Sequence, residues 1–191
     1  LPDQGPLPGP VAQIILANKG YFHNLAYAKL PPSRRKLTTR PAGATGNLEV
    51  TISLLGAGMI GKLVIALLKP YQMQVLVFDP FLPDATAAAL GVTKVSLDEA
   101  FRRGRVVSCH LANLPSTKGM LRGEHFQQMA DDATFINTGR GATVNEPEMI
   151  AELARRPSLT ALLDVTMPEP PAEESLLYQL PNVFLTTHIA G

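Results

Sequence analysis

Glu49-Val50-Thr51-Ile52-Ser53-Leu54-Leu55-Gly56-Ala57-Gly58-Met59-Ile60-Gly61 carries an apolar, β-branched run straight into G-x-G-x-x-G, and a helix-like run, Lys62 to Leu68, follows. That is the order strand, tight turn, helix. Only glycine makes the turn at Gly56 without steric cost. A side chain at Gly58 would keep a pyrophosphate from the backbone, and Gly61 is expected to let the new helix pack closely on the strand. The helix start at Met59 and Ile60 offers unpaired N–H groups and a partial positive charge to phosphates. Similar turns serve other nucleotides and methyl donors, and some bind nothing, so the surrounding chain has to decide.

Working outward, strand and helix alternate. Gln74 to Phe78 reads as a second strand ending at Asp79-Pro80, and Asp84 to Leu90 as an alanine-rich helix closed by Gly91. Val92 to Val95 is a short strand. Ser96-Leu97-Asp98-Glu99 has the S-x-x-E form of a capping box. Val106 to Cys109 is a strand ending at His110, and Glu124 to Met129 a helix. Thr134 to Ile136 is a strand ending at Asn137-Thr138-Gly139-Arg140-Gly141, and Asn145 caps a helix to about Ala154. Leu159 to Leu163 is a strand ending at Asp164, Ser175 to Leu180 a short helix, and Val183 to Leu185 the last strand. The strands are apolar without alternation, as in a parallel sheet covered on both faces. The expected fold is α/β, a doubly wound parallel sheet of about seven strands over residues 48–191. Residues 1–47 are expected to form a lead-in: irregular and proline-rich at first, with one or two helical segments between Val11 and Leu30, then a basic surface connection.

The chain has 191 residues, 46% of them apolar, and a net charge of +1. That is enough for one substantial core and gives no argument for nucleic acid or an anionic membrane surface. No apolar run is long enough to span a bilayer. The single cysteine, Cys109, cannot form an intrachain disulfide and fits a reducing, cytoplasmic setting. No signal peptide or metal-ligand set is expected. Both ends are expected to be cuts through something longer.

In an open α/β sheet, ligands sit beyond the carboxyl ends of the strands. Those ends here carry Gly56, Gly58 and Gly61, then Asp79, His110, Thr138-Gly139-Arg140, Asp164 and His188. Asp79 lies 18 residues past Gly61, where an acid accepts hydrogen bonds from an adenosine ribose and repels a 2′-phosphate, which favours NAD over NADP. Its plainer reading is an Asp-Pro turn. His110 is either a strand-end histidine or a lining of the cofactor cleft. Arg140, between two glycines expected to turn the backbone sharply, presents a planar fork suited to a carboxylate or 2-oxo acid. Glu169 sits in the proline-rich Met167-Pro168-Glu169-Pro170-Pro171, and His188 directly after the last strand. Singly these three read as a surface salt bridge, a solvated acid and a strand-end histidine. Together they form a set. Reduction of a ketone by hydride needs a cation to orient and polarise it and a histidine to deliver a proton, with a carboxylate to fix the ring. A methyl-donor transferase would leave all three unexplained.

Gly56-Ala57-Gly58-Met59-Ile60-Gly61, Val77-Phe78-Asp79-Pro80-Phe81, Asn137 to Gly141, Asp164-Val165 with Pro168-Glu169-Pro170, and Pro181-Asn182-Val183 leading to His188-Ile189-Ala190-Gly191 follow one another in the order and spacing of a known family. From about Leu48 to Gly191 the chain resembles the D-isomer-specific 2-hydroxyacid dehydrogenases. The resemblance implies an NAD-binding domain inserted into a smaller flavodoxin-like substrate domain, commonly dimeric through its NAD domains. It makes Arg140 the substrate-orienting arginine, Glu169 its carboxylate partner in catalysis and His188 the acid/base. Asp79 would bind the adenosine ribose, and Asp164 would contact the nicotinamide carboxamide. Gly56, Gly58, Met59, Ile60, Gly61, His110, Thr138, Gly139, Arg140, His188 and Gly191 would complete the cofactor site. Ala112, Asn113 and Leu114 depart from a loop that usually carries a proline, the stretch before Leu48 matches more poorly, and there is no tryptophan. The substrate domain is absent, so this piece alone is expected to bind NAD with little turnover. Some relatives of this fold act instead as NAD(H)-responsive corepressors, and a binding module of that kind is the alternative.

Overall fold

Residues 50–71 and 73–190 are described by the structure, a computed structural model. The expected lead-in over 1–47 and the expected cofactor contact at Gly191 lie outside these residues. Seven strands form one parallel sheet: β1 (Thr51–Leu55), β2 (Gln74–Phe78), β3 (Thr93–Lys94), β4 (Val106–Cys109), β5 (Thr134–Asn137), β6 (Thr160–Leu163) and β7 (Val183–Leu185). Their order is β3-β2-β1-β4-β5-β6-β7. The connections run outward in both directions from the β1–β4 pair, which makes the crevice above that pair the switch point of a doubly wound sheet.

The helices are α1 (Met59–Leu68), α2 (Asp84–Leu90), α3 (Leu97–Arg103), α4 (Gly123–Gln127) and α5 (Glu146–Arg155). Their ends follow local chemistry. Gly91 closes α2 in the left-handed region at φ 73°. Ser96 caps α3 by accepting the Glu99 N–H, and Asn145 caps α5 by accepting the Glu148 N–H. The helix expected over 175–180 is a shorter 3₁₀ turn, Leu176–Tyr178. Gln179 and Leu180 are left to lead into Pro181, which disfavours helix before it.

Two cores flank the sheet. One holds Ile52, Leu54, Val75 and Val77 of β1 and β2 with Ile65 of α1 and Ala87 of α2. The other holds Leu55, Val107, Phe135, Ala161 and Val183 with side chains from α3, α4 and α5. In it Phe101, Phe126 and Phe135 are fully buried. Phe126 meets the other two rings edge-on at centroid distances of 5.3 and 5.0 Å, the preferred geometry for aromatic pairs.

The register aligns the strand ends. Phe78, Leu55, Cys109, Asn137, Leu163 and Leu185 form one continuous row across six strands. The next residue on each strand is therefore Asp79, Gly56, His110, Thr138, Asp164 and Thr186. Residues scattered over more than a hundred positions of sequence become one edge.

Candidate active site

The glycine turn divides three tasks among three glycines. Gly56 has φ +96°, and a Cβ there would lie 2.9 Å from the His110 carbonyl oxygen. At Gly61 a Cβ would lie 2.2 Å from the Gly56 carbonyl oxygen, so what Gly61 permits is the closure of the helix onto the turn itself. A Cβ on Gly58 would meet nothing within 4 Å. Gly58 is the N-cap of α1, and no side chain caps that helix. The start of the helix thus has no side-chain cap and open space beside Gly58, an arrangement that fits a pyrophosphate.

Asp79 closes the turn from the neighbouring strand. Its Oδ2 accepts the Ala57 N–H at 2.8 Å and its Oδ1 the Phe81 N–H at 2.9 Å. The residue is a turn acid, as its plainer reading has it, and its carboxylate also stands against the glycine loop. His110 is half-buried beyond β4, its Nε2 3.0 Å from Ser108 Oγ. Burial lowers its pKa, so the ring is held neutral near pH 7. His110 lines a cleft of about 340 Å³ with Ile60, Leu111, Thr138, Gly139 and Arg140. A second cleft, of about 500 Å³, runs from Thr138 and Asp164 to Ile189 and Ala190.

Glu169 and His188 are brought together: His188 Nδ1 lies 2.6 Å from Glu169 Oε1, with both side chains about one-third exposed. The carboxylate fixes the ring and leaves Nε2 as the working nitrogen. His188 has φ +57°, a left-handed conformation that a non-glycine residue adopts only under local constraint. The constraint is Asp164. Its Oδ1 accepts the Ile189 N–H and its Oδ2 the Ala190 N–H, each at 2.9 Å, and Thr186 Oγ1 also donates to it. Burial opposes ionisation of Asp164, but the bonds from Thr186, Ala190 and Ile189 and the charge of His188 outweigh it and hold the carboxyl below its ordinary pKa.

Arg140 sits at the same edge but is not bonded to that pair. Its Nη1 folds back 2.7 Å onto the Gly139 carbonyl, and among the described residues no carboxylate pairs with it. An exposed guanidinium with spare donors is available to an anionic ligand. Neither flanking glycine has positive φ, contrary to the expected sharp turn. Their role is close approach, since a Cβ on Gly141 would lie 2.1 Å from the Thr166 carbonyl oxygen.

A profile described as "D-isomer specific 2-hydroxyacid dehydrogenase, NAD binding domain" matches residues 35–190. The chain belongs to this family. It is 35% identical to D-3-phosphoglycerate dehydrogenase 2, chloroplastic, of Arabidopsis thaliana over 141 residues, which is 74% of this chain and 23% of that protein. Apo D-mandelate dehydrogenase of Rhodotorula graminis superposes with a TM-score of 0.73 at 28% identity, covering 95% of this chain and 55% of that one. NAD-dependent formate dehydrogenase of Staphylococcus aureus, solved with NAD, gives 0.65 at 26% identity over 73% of this chain and 42% of that one. The chain thus spans about a quarter of that curated relative and about half of these solved neighbours. The cofactor of this dehydrogenase domain is NAD.

Four residues of the dehydrogenase domain escaped the sequence reading. Asn137, buried at the end of β5, accepts the Gly139 N–H at 3.0 Å and donates to the Arg140 carbonyl at 3.3 Å. Thr143 Oγ1 donates to the same carbonyl at 2.7 Å. Glu146 accepts the Met167 N–H at 2.9 Å and so ties α5 to the segment that carries Glu169. Burial raises the pKa of Glu146 against the lowering effect of that N–H. Thr186 is the hydroxyl donor on Asp164. Asn137 lies in a quoted motif, but Glu146 reads only as a first-turn helix acid. Among the described residues no helix is long and apolar enough to cross a membrane, and no group of three His, Cys, Asp or Glu could hold a metal ion.

Proposed function

We propose that this chain is the cofactor half of an NAD-dependent D-2-hydroxyacid dehydrogenase that interconverts a 2-hydroxy acid and its 2-oxo acid, with residues 48–191 as the NAD-binding unit. The observation that carries the reading is the Glu169–His188 pair at 2.6 Å, set on the same edge as the glycine cradle and the exposed guanidinium of Arg140. The bound nicotinamide supplies the hydride in the reducing direction and takes it in the other. His188 delivers a proton from Nε2 to the ketone oxygen as the alkoxide forms, and removes it in the reverse direction. Glu169 holds the ring at Nδ1. Arg140 grips the substrate carboxylate and polarises the ketone beside it. Gly58 admits the pyrophosphate, Met59 and Ile60 N–H groups bind it, and Asp79 accepts the ribose hydroxyls. His110, Thr138 and Gly139 line the cleft between.

The working unit is proposed to be a homodimer in the cytoplasm, which agrees with the single, buried, free Cys109. The corepressor-type module draws on no feature of the site that the enzyme reading does not already use. The test is turnover of a panel of 2-oxo acids with NADH, by the chain and by any longer protein that carries it. His188→Gln is expected to lower kcat by about 10²–10⁴-fold, the usual span of a general acid, with NADH affinity kept. No turnover of any 2-oxo acid by the longer protein would sink the enzyme reading.

A further inference from the structure

Met167-Pro168-Glu169-Pro170-Pro171 contains three prolines, so only Met167 and Glu169 keep a backbone N–H there. Residues 164–175 belong to no helix or strand, so no ladder of backbone bonds fixes them. Met167 to Pro170 are exposed, between a buried Thr166 and a buried Pro171. Yet this segment carries Glu169 to His188. Both side chains of that pair are about one-third exposed, and an ion pair so open is weak by itself. The pair therefore cannot hold the segment. The segment has to be held for the pair to form.

Three side-chain bonds to backbone do this. Thr166 Oγ1 donates to the Pro168 carbonyl at 2.9 Å, within the segment. The other two reach in from outside it. Glu146 Oε2, on α5, accepts the Met167 N–H at 2.9 Å, and Tyr178 Oη, on the 3₁₀ turn, donates to the Pro171 carbonyl at 3.1 Å. Glu146 is 8% exposed, and among the described residues no cation pairs with it. Packing alone would be served by an apolar side chain, without the cost of burying a carboxylate. Burial, and after it the charge of Glu146, raise the pKa of the Tyr178 phenol, so the phenol keeps the proton it donates. We propose that Glu146 and Tyr178 are positioning residues: they grip the chain on either side of Glu169 and so set its carboxylate against His188 Nδ1. The proposal rests on the acid/base role of His188 given above. Its consequence is chemical. A carboxylate only accepts, so a neutral His188 facing it carries its proton on Nδ1 and leaves Nε2 bare to take a proton from a 2-hydroxy acid. With Glu169 adrift the other tautomer forms, and its Nε2–H cannot take that proton.

Nitrogen NMR of the imidazole rings in alkaline buffer, where histidine is neutral, tests this on the chain itself, with His188→Gln identifying the His188 signals. The unaltered chain is expected to show His188 mainly in the Nδ1–H form, and Glu169→Ala mainly in the Nε2–H form. Glu146→Leu leaves the Met167 N–H without its acceptor and is expected to lose most of the Nδ1–H population. Glu146→Gln, whose amide oxygen still accepts, is expected to keep it, a rescue that a bulk effect on stability would not give. Tyr178→Phe removes the other grip and is expected to lose part of it. Unchanged NADH affinity shows that a variant is folded. An Nδ1–H form kept in full by folded Glu146→Leu, or by Tyr178→Phe where Glu146→Leu does not fold, overturns the positioning and leaves the Glu169–His188 pair and the dehydrogenase reading standing. Glu169→Ala without effect on the tautomer overturns the pair itself and this proposal with it.

Discussion

Asp164 spends both buried oxygens on backbone N–H groups and so holds His188 where its φ of +57° presents the ring to Glu169. Its place in the family site suggested contact with the nicotinamide; its geometry makes it first a positioning residue. Asp164→Asn sets an amide N–H₂ against one of those donors and is expected to cost about 1–3 kcal/mol, read in urea melts. The folded state holds this carboxyl below its ordinary pKa. Its contribution is therefore full above the unfolded value of about 3.9 and is lost as pH falls through the lower folded value. Stability measured from pH 5 downward is expected to fall less steeply in Asp164→Asn than in the unaltered chain. Asp79 faces a different test. Asp79→Ala removes an acceptor from the Ala57 N–H and, in the proposed function, from the ribose. NAD(H) binding is expected to weaken by about 1.5–3 kcal/mol, the worth of hydrogen bonds to a charged group, with preference against NADP relaxed, as measured by calorimetry with both cofactors.

At the scale of elements, the strand–turn–helix unit separates folding from binding. Gly61→Ala forces a Cβ to 2.2 Å from a backbone carbonyl, contact that no flexible side chain can relieve. It is expected to cost at least the ~1–3 kcal/mol of ordinary overpacking, and cofactor binding falls with stability. Gly58→Ala points a Cβ into open space. Its melting temperature is expected to change by no more than the few degrees that correspond to about 1 kcal/mol, while NADH affinity drops sharply. Equal losses of stability in the two variants would refute the division. On the opposite side of the sheet, Phe126 pins α4 to Phe101 and Phe135. Phe126→Ala is expected to destabilise by about 3–5 kcal/mol and to lower activity only by lowering the folded fraction.

At the scale of the molecule, the sheet is an alignment device. The row that runs through Leu55, Cys109, Asn137 and Leu163 places the residues just beyond it side by side, at the edge where ligands sit in an open α/β sheet. The Glu169–His188 pair stands above β6 and β7, and the glycine cradle above β1. A cofactor held by both would bridge the two halves of the doubly wound fold, which meet at the switch point. Arg140 is exposed at this edge.

The sequence by itself determined the alternation of strand and helix, the caps at Gly91, Ser96 and Asn145, the glycine turn, and which polar residues end the strands. These are local matters, set by periodicity, φ preferences and turn chemistry within a few residues. It also showed that Glu169 and His188 belong together chemically. Only the tertiary structure decided that they touch, that Asp164 holds the backbone just after His188, that Glu146 anchors the Glu169 segment, and that Gly141 is small because Thr166 crosses it. Those contacts join positions about 20 or more residues apart in sequence. Partners at that separation are chosen by sheet register and close packing, which no local pattern encodes. The outward face of α1 is the reverse case. Its apolar stripe is plain in Met59, Leu63 and Leu67, but it reads as core until the fold shows it turned to solvent.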